Sequence, residues 1–147
     1  HYGVGLALAL APVGAWVAVR GDLEGLEPAL WLAGFTWFWV AGFDIIYATL
    51  DEAFDREHGV HSLPGRFGAR TALTISRVTH LLALLCLVVL YGRFLSGPMT
   101  LVTLLVLAAV LATEQRLASR VNLAFFQLNL VVGFLVFGFV VLGVIGI

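Results

Sequence analysis

The chain has no lysine, one cysteine, one methionine and four prolines in 147 residues, and only 12% of it is charged. Without lysine, its positive charge rests on eight arginines against nine acids. The net charge of −1 gives no basic footprint for a nucleic acid, which excludes that class of partner. The lone cysteine, Cys86, sits in an apolar run, so there is no intrachain disulfide and the thiol reads as buried packing. A soluble globular domain carries about 25% charged residues. This chain is 61% hydrophobic, with a mean hydropathy of +1.04. Such proportions define an integral membrane protein. The chain also lacks an initiator methionine and a charged leader before a cleavage site, entering an apolar run directly after His1. It therefore reads as part of a longer protein.

What is present is long apolar runs. A bilayer core of about 30 Å takes about 20 apolar residues in a helix. Five stretches qualify, approximately 2–19, 29–50, 71–91, 99–116 and 122–146. The expected fold is all-α, a polytopic transmembrane bundle of about five spans forming one domain over 1–147. The breaks carry turn and stop residues: Gly21, Gly25 and Pro28 in the first, Gly59, Pro64, Gly65 and Gly68 in the second. The third break runs from Tyr91 to Pro98 and the fourth from Thr113 to Asn122. Arg56, Arg66, Arg70, Arg116 and Arg120 fall in the second and fourth breaks, and Arg20 and Arg93 in the other two. The positive-inside rule then places the second break in the cytoplasm, with His1 inside and Ile147 outside.

That second break follows the most unusual segment of the chain. Eight charged residues lie between Asp44 and Arg70, in a sequence that otherwise avoids charge. At about 100° per residue, Asp44, Tyr47, Asp51 and Asp55 share one helical face within an arc of roughly 80°. Carboxylates stacked on one face repel one another, and a divalent cation removes the repulsion. Mg²⁺ prefers oxygen ligands, usually one or two carboxylates completed by phosphate and water. Asp51 and Asp55, one turn apart, suit a bridge from Mg²⁺ to a diphosphate. A merely solvated acidic helix end would pair its acids with Arg56, Arg66 and Arg70. It would not carry the acidic face back through Tyr47 to Asp44, inside the apolar span. An EF-hand is excluded, because the spacing lacks alternating ligands and a distal glutamate.

Beyond Asp55, Gly59 offers backbone freedom or simply a helix stop, and His61, Ser62 and Arg66 supply donors for diphosphate oxygens. Before Asp44, the second span is rich in aromatics: Trp31, Phe35, Trp37, Phe38, Trp39 and Phe43. Most fit an interfacial belt and helix packing. Trp39 and Phe43 also suit a wall beside an isoprenoid chain or an allylic cation, which an aromatic face stabilises.

The run Asp44-x-x-Tyr47-x-x-x-Asp51-x-x-x-Asp55-x-x-x-Gly59-Val60-x-Ser62-x-Pro64 resembles the second aspartate-rich motif of the UbiA-type intramembrane prenyltransferases. Gly42-Phe43-Asp44-Ile45-Ile46-Tyr47-Ala48, Phe54-Asp55-Arg56-Glu57-x-Gly59 and Arg66-Phe67-Gly68 are most similar to the 4-hydroxybenzoate polyprenyltransferase branch. The resemblance implies a nine-helix bundle with two aspartate-rich motifs across a central cavity, this chain being its C-terminal part. It implies that Asp51 and Asp55 bind Mg²⁺ and the diphosphate of a polyprenyl donor. Asp44 and Tyr47 would be catalytic residues lining the same pocket. Many members have lysine where His61 stands. The first motif, on the missing N-terminal half of the same enzyme, is absent from this sequence.

The implied reaction is electrophilic aromatic substitution in a bacterial inner membrane. The allylic C–O bond ionises as diphosphate leaves, and the ring carbon of a small aromatic acceptor attacks. The products would be ubiquinone- or menaquinone-type precursors, with haem or lipid acceptors as alternatives. A CDP-alcohol phosphotransferase would show Asp-Gly and Ala-Arg pairs in one compact motif, and Asp51–Asp55 has neither. A non-catalytic Mg²⁺ transporter or scaffold would need acids in several spans, whereas only the second reads as acidic. His80 is expected to be a hydrogen-bonded interior residue. Asn122, Gln127 and Asn129 are expected to join helices, and Gly133, Gly138, Gly143 and Gly146 to allow close packing of the last span.

Overall fold

The computed structural model describes residues 1–118 and 123–147, with the backbone alone at 123–126. Its helices are α1 (Tyr2–Arg20), α2 (Glu27–Ala48), α3 (Glu52–Glu57), α4 (Leu63–Phe67), α5 (Ala69–Phe94), α6 (Pro98–Leu117) and α7 (Leu123–Ile145). A 3₁₀ turn, Thr49–Asp51, joins α2 to α3. Among the described residues the fold is all-α. Five stretches are long and apolar enough to cross a membrane: Tyr2–Arg20, Glu27–Glu57, Ala69–Phe94, Pro98–Leu117 and Gln127–Ile145. Local chemistry sets their ends. Gly21 takes φ 75° and returns its N–H to the Val17 carbonyl at 2.8 Å, closing α1. Pro28 and Pro98 stand in the first turns of α2 and α6, where a missing N–H costs nothing.

α2 packs on both α1 and α5, while α6 packs chiefly on α7. Phe35, Ala83, Leu87, Leu107, Val132 and Phe139 are buried where α2, α5, α6 and α7 meet. In lipid such helices gain little from the hydrophobic effect and rely on close packing and interhelical hydrogen bonds. Gly42 shows the first: a Cβ there would overlap the ring of His80 on α5. Of the four glycines expected to bring α7 close, only Gly143 does so, since a Cβ there would stand 2.8 Å from the Leu95 side chain. Gly133 and Gly138 face open space, and Gly146 has φ 81° at the end of the helix.

The second device is a buried polar network linking α2, α5 and α6. Gln115 Nε2 donates to Ser76 Oγ at 3.0 Å and to His80 Nδ1 at 2.8 Å. Ser76 Oγ donates to the Gly42 carbonyl at 2.8 Å. With Nδ1 accepting, the ring proton of His80 belongs on Nε2, which faces the Trp39 carbonyl at 3.2 Å. His80 is thus the hydrogen-bonded interior residue expected. Glu114 differs from expectation. Its sequence neighbourhood reads as a loop, yet α6 continues to Leu117 and carries Glu114 into the interior at 0% exposure. The second span is therefore not the only one with an acid. Asn129 bonds Tyr47 across α7 and α2, Gln127 is exposed, and Asn122 and Arg120 lie outside the described residues.

Candidate active site

The aspartate-rich segment does not form one uninterrupted helix. Thr49 turns its hydroxyl back onto the Ile46 carbonyl at 2.7 Å, and the chain tightens to 3₁₀ geometry over Thr49–Asp51. At three residues per turn instead of 3.6, three residues rotate the succeeding helix by roughly 60°. Asp51 and Asp55 are therefore turned relative to Asp44 and Tyr47. No three His, Cys, Asp or Glu side chains among the described residues gather closely enough to hold one metal ion between them. Asp44 instead contacts His1, with Nδ1 2.6 Å from Oδ2. Tyr47 is hydrogen-bonded to Asn129.

Around Asp55 the chain folds back on itself. Val60 donates its N–H to the Asp55 carbonyl at 2.8 Å across Gly59, whose φ of 69° ends α3 in a Schellman-type turn. Gly59 is therefore a helix stop. Ser62 then caps α4, accepting the Gly65 N–H at 3.0 Å, and its own O–H proton remains able to donate. Gly65 lies against this corner: a Cβ there would be 3.2 Å from the Asp55 Cβ. The turn encloses an open cavity of 430 Å³, lined by Asp55, Arg56, Gly59, Val60, His61, Gly65 and Arg66. Three of the residues expected to act on a diphosphate, Asp55, His61 and Arg66, meet in it. Asp55 is 8% exposed, whereas Asp51 on the 3₁₀ turn is exposed. His58 stacks on Phe54 outside the cavity lining, with ring centroids 4.0 Å apart.

Glu52 holds the fold-back in place and was not apparent from the sequence. Its Oε1 accepts from Arg56 Nη2 at 2.8 Å, and its Oε2 accepts the Ala69 N–H at 3.0 Å. It thereby caps α5, which begins after Gly68 with no side-chain cap of its own. That missing cap, together with the Glu52-x-x-x-Arg56 spacing, is the signal that could have found it.

The aromatics form a ladder along α2. Phe35 stacks on Trp39 at 5.6 Å, Trp39 meets Phe43 edge-on at 5.4 Å, and Phe43 meets Tyr47 at 6.3 Å. The ladder runs from the core to the acidic end. Trp39 and Phe43 are only partly buried and pack against the two apolar clusters of the core.

Chemically, the cavity brings the hard oxygen donors of Asp55 beside cationic or hydrogen-bonding groups on Arg56, His61 and Arg66, with the Ser62 hydroxyl next in the chain, while Asp51 stands outside its lining. This donor set fits a small divalent cation that keeps water and completes its shell with phosphate. It is too sparse to cage such an ion alone.

The UbiA prenyltransferase family matches residues 1–124, and the chain belongs to it. With five helices long and apolar enough to span a bilayer, it is an integral membrane protein. Over 63 residues it is 43% identical to the 4-hydroxybenzoate solanesyltransferase of Synechocystis sp., which takes in 43% of this chain and 21% of that protein. The polyprenyl transferases macG of Penicillium terrestre and yanG of Aspergillus niger are 39% and 41% identical over 61 residues. Each match takes in 42% of this chain, and 19% and 18% of those proteins. The chain thus aligns with about a fifth of the length of the curated relatives it matches. No solved structure matches it significantly.

Proposed function

We propose that this chain forms the second aspartate-rich half of a site that transfers a polyprenyl group from a polyprenyl diphosphate to a small aromatic acceptor such as 4-hydroxybenzoate. The other half comes from an N-terminal segment of the same enzyme. The product is a precursor of a ubiquinone- or menaquinone-type quinone, and the enzyme sits in a bacterial inner membrane with the acidic corner facing the cytoplasm. One observation carries this reading: Asp55, His61 and Arg66 line one cavity, putting a carboxylate beside cationic and hydrogen-bonding groups at the end of an apolar, aromatic span.

Asp51 and Asp55 are the groups that would hold Mg²⁺, which when bound neutralises charge on the diphosphate leaving group. Arg56 and Arg66 bind the outer phosphate oxygens, with His61 and the Ser62 hydroxyl donating beside them. Trp39 and Phe43 flank the prenyl chain and keep water from the allylic centre. Asp44 and Tyr47 orient the acceptor at the inner end of the site.

The test uses the full-length enzyme in detergent or nanodiscs, measuring transfer of a radiolabelled polyprenyl group to 4-hydroxybenzoate. Asp51→Ala and Asp55→Ala are each expected to lower the rate by about 10²–10³, as for loss of one electrostatic stabiliser of a transition state. Unchanged transfer in both would refute the assignment. Diphosphate release that depends on the acceptor separates this reading from a non-catalytic Mg²⁺ transporter or scaffold.

A further inference from the structure

A second cavity, of 380 Å³, opens between α5 and α6 and shares no lining residue with the acidic corner. Arg77 and Arg116 stand in its lining. Arg77 is exposed about two turns inside α5, which starts at Ala69. Arg116 is exposed in the last turn of α6, which ends at Leu117. Arg56 and Arg93 are paired with Glu52 and Glu27, but Arg77 and Arg116 meet no carboxylate among the described residues. A bare guanidinium this far within a span is costly in hydrocarbon and calls for a counter-ion. Beyond the arginines the lining turns apolar, with Leu81, Leu84 and Leu111. At the inner wall, Gln115 spends both amide protons on Ser76 and His80, leaving its buried Oε1 with no donor among the described residues.

These features describe a ligand with an anionic head, a hydroxyl near it and a long apolar tail. We propose that the α5–α6 groove binds one anionic phospholipid. Its phosphate sits between Arg77 and Arg116, whose planar forks match phosphate oxygens. A headgroup hydroxyl donates to Gln115 Oε1, and one acyl chain lies along Leu81, Leu84 and Leu111. Among the described residues the lining has no carboxylate to bring a metal to a diphosphate, which separates this groove from the Asp55 cavity. Charge complementarity therefore favours a lipid phosphate. The inference does not depend on the chemistry proposed for the acidic corner.

The experiment takes the full-length protein into nanodiscs of phosphatidylcholine with a minor fraction of phosphatidylglycerol and counts retained lipids by native mass spectrometry. The wild type is expected to retain one phosphatidylglycerol in preference to phosphatidylcholine. Arg77→Gln combined with Arg116→Gln should weaken that preference about tenfold or more, since each basic residue near an anionic surface adds measurably to binding. Leu84→Trp, which fills the groove and leaves both charges, should weaken it as well. Single Arg77→Gln, with helicity checked by circular dichroism, serves if the double variant does not fold. Equal retention of the two lipids, phosphatidylglycerol binding that survives both arginine changes, or absence of any retained lipid would overturn the proposal. Displacement of the lipid by polyprenyl diphosphate would also overturn it, assigning the groove to the prenyl donor.

Discussion

The imidazole of His80 occupies the space where a Cβ on residue 42 would stand. The contact fixes how closely α2 and α5 approach, one turn from the point where Ser76 bonds the Gly42 carbonyl at 2.8 Å. Gly42→Ala must therefore push the ring aside or part the helices. A loss of about 1–3 kcal/mol is expected, in the range for overpacking a filled interior. Unfolding of the purified protein in mixed micelles measures it, and an unchanged midpoint would mean that α5 does not pack as described.

Gln115 divides its amide protons between Ser76 and His80, so its replacement should be felt by both. In a double-mutant cycle, Ser76→Ala and Gln115→Leu should couple by about 0.6 kcal/mol, and by no more than about 1.7, the span found for interhelical hydrogen bonds in membranes. Strict additivity would show that the two side chains do not share a bond.

Glu52 secures the acidic corner from outside by accepting the first N–H of α5. Glu52→Ala should cost about 0.5–2 kcal/mol, as for a lost N-cap. The locality of the effect is the sharper sign: amide exchange should accelerate over 58–70 while α6 and α7 are unaffected. Glu52→Gln keeps an acceptor oxygen and should recover most of the protection.

Ser62 can matter as a cap, as a phosphate donor, or as both. Ser62→Asn retains the cap, because asparagine is as good an N-cap as serine. It should leave stability unchanged, whereas Ser62→Ala should cost about 1 kcal/mol. If the hydroxyl also donates to diphosphate, Ser62→Asn, whose amide NH₂ can donate in its place, keeps the affinity for the donor substrate, whereas Ser62→Asp, which caps as well but has no proton to give, lowers it at constant stability. His61→Lys, which places a fixed ammonium at the same corner, should retain or strengthen that affinity.

The spans were legible because hydropathy alone dictates them. The apolar stretch 99–116 became Pro98–Leu117, and 2–19 became Tyr2–Arg20. The sequence also pointed to Asp55, His61 and Arg66, which meet in one cavity, because acids, a helix stop and donors in close succession have few ways to fold. Where reading failed, the cause was a local bond or a distant partner. Thr49 bonds back to Ile46 and breaks the helical period, so a single acidic face over Asp44–Asp55 is not formed. Glu114 looked like part of a polar loop because four polar or charged residues, Thr113 to Arg116, adjoin one another there. In the structure they belong to the last turns of α6, with Glu114 turned inward and Arg116 outward. Asp44 meets His1, 43 positions away, a pairing that no periodicity discloses.

The most direct measurement of the central claim is equilibrium binding of a polyprenyl diphosphate to the full-length enzyme, with Mg²⁺ and after its removal by chelation, for the wild type and Asp55→Ala. If Asp55 helps hold the metal at the diphosphate, chelation and the substitution each weaken binding about tenfold or more, and their combined loss falls short of the sum of the two, since the substitution removes part of what chelation removes. Wild-type affinity in Asp55→Ala, or additive losses from chelation and substitution, would contradict the account.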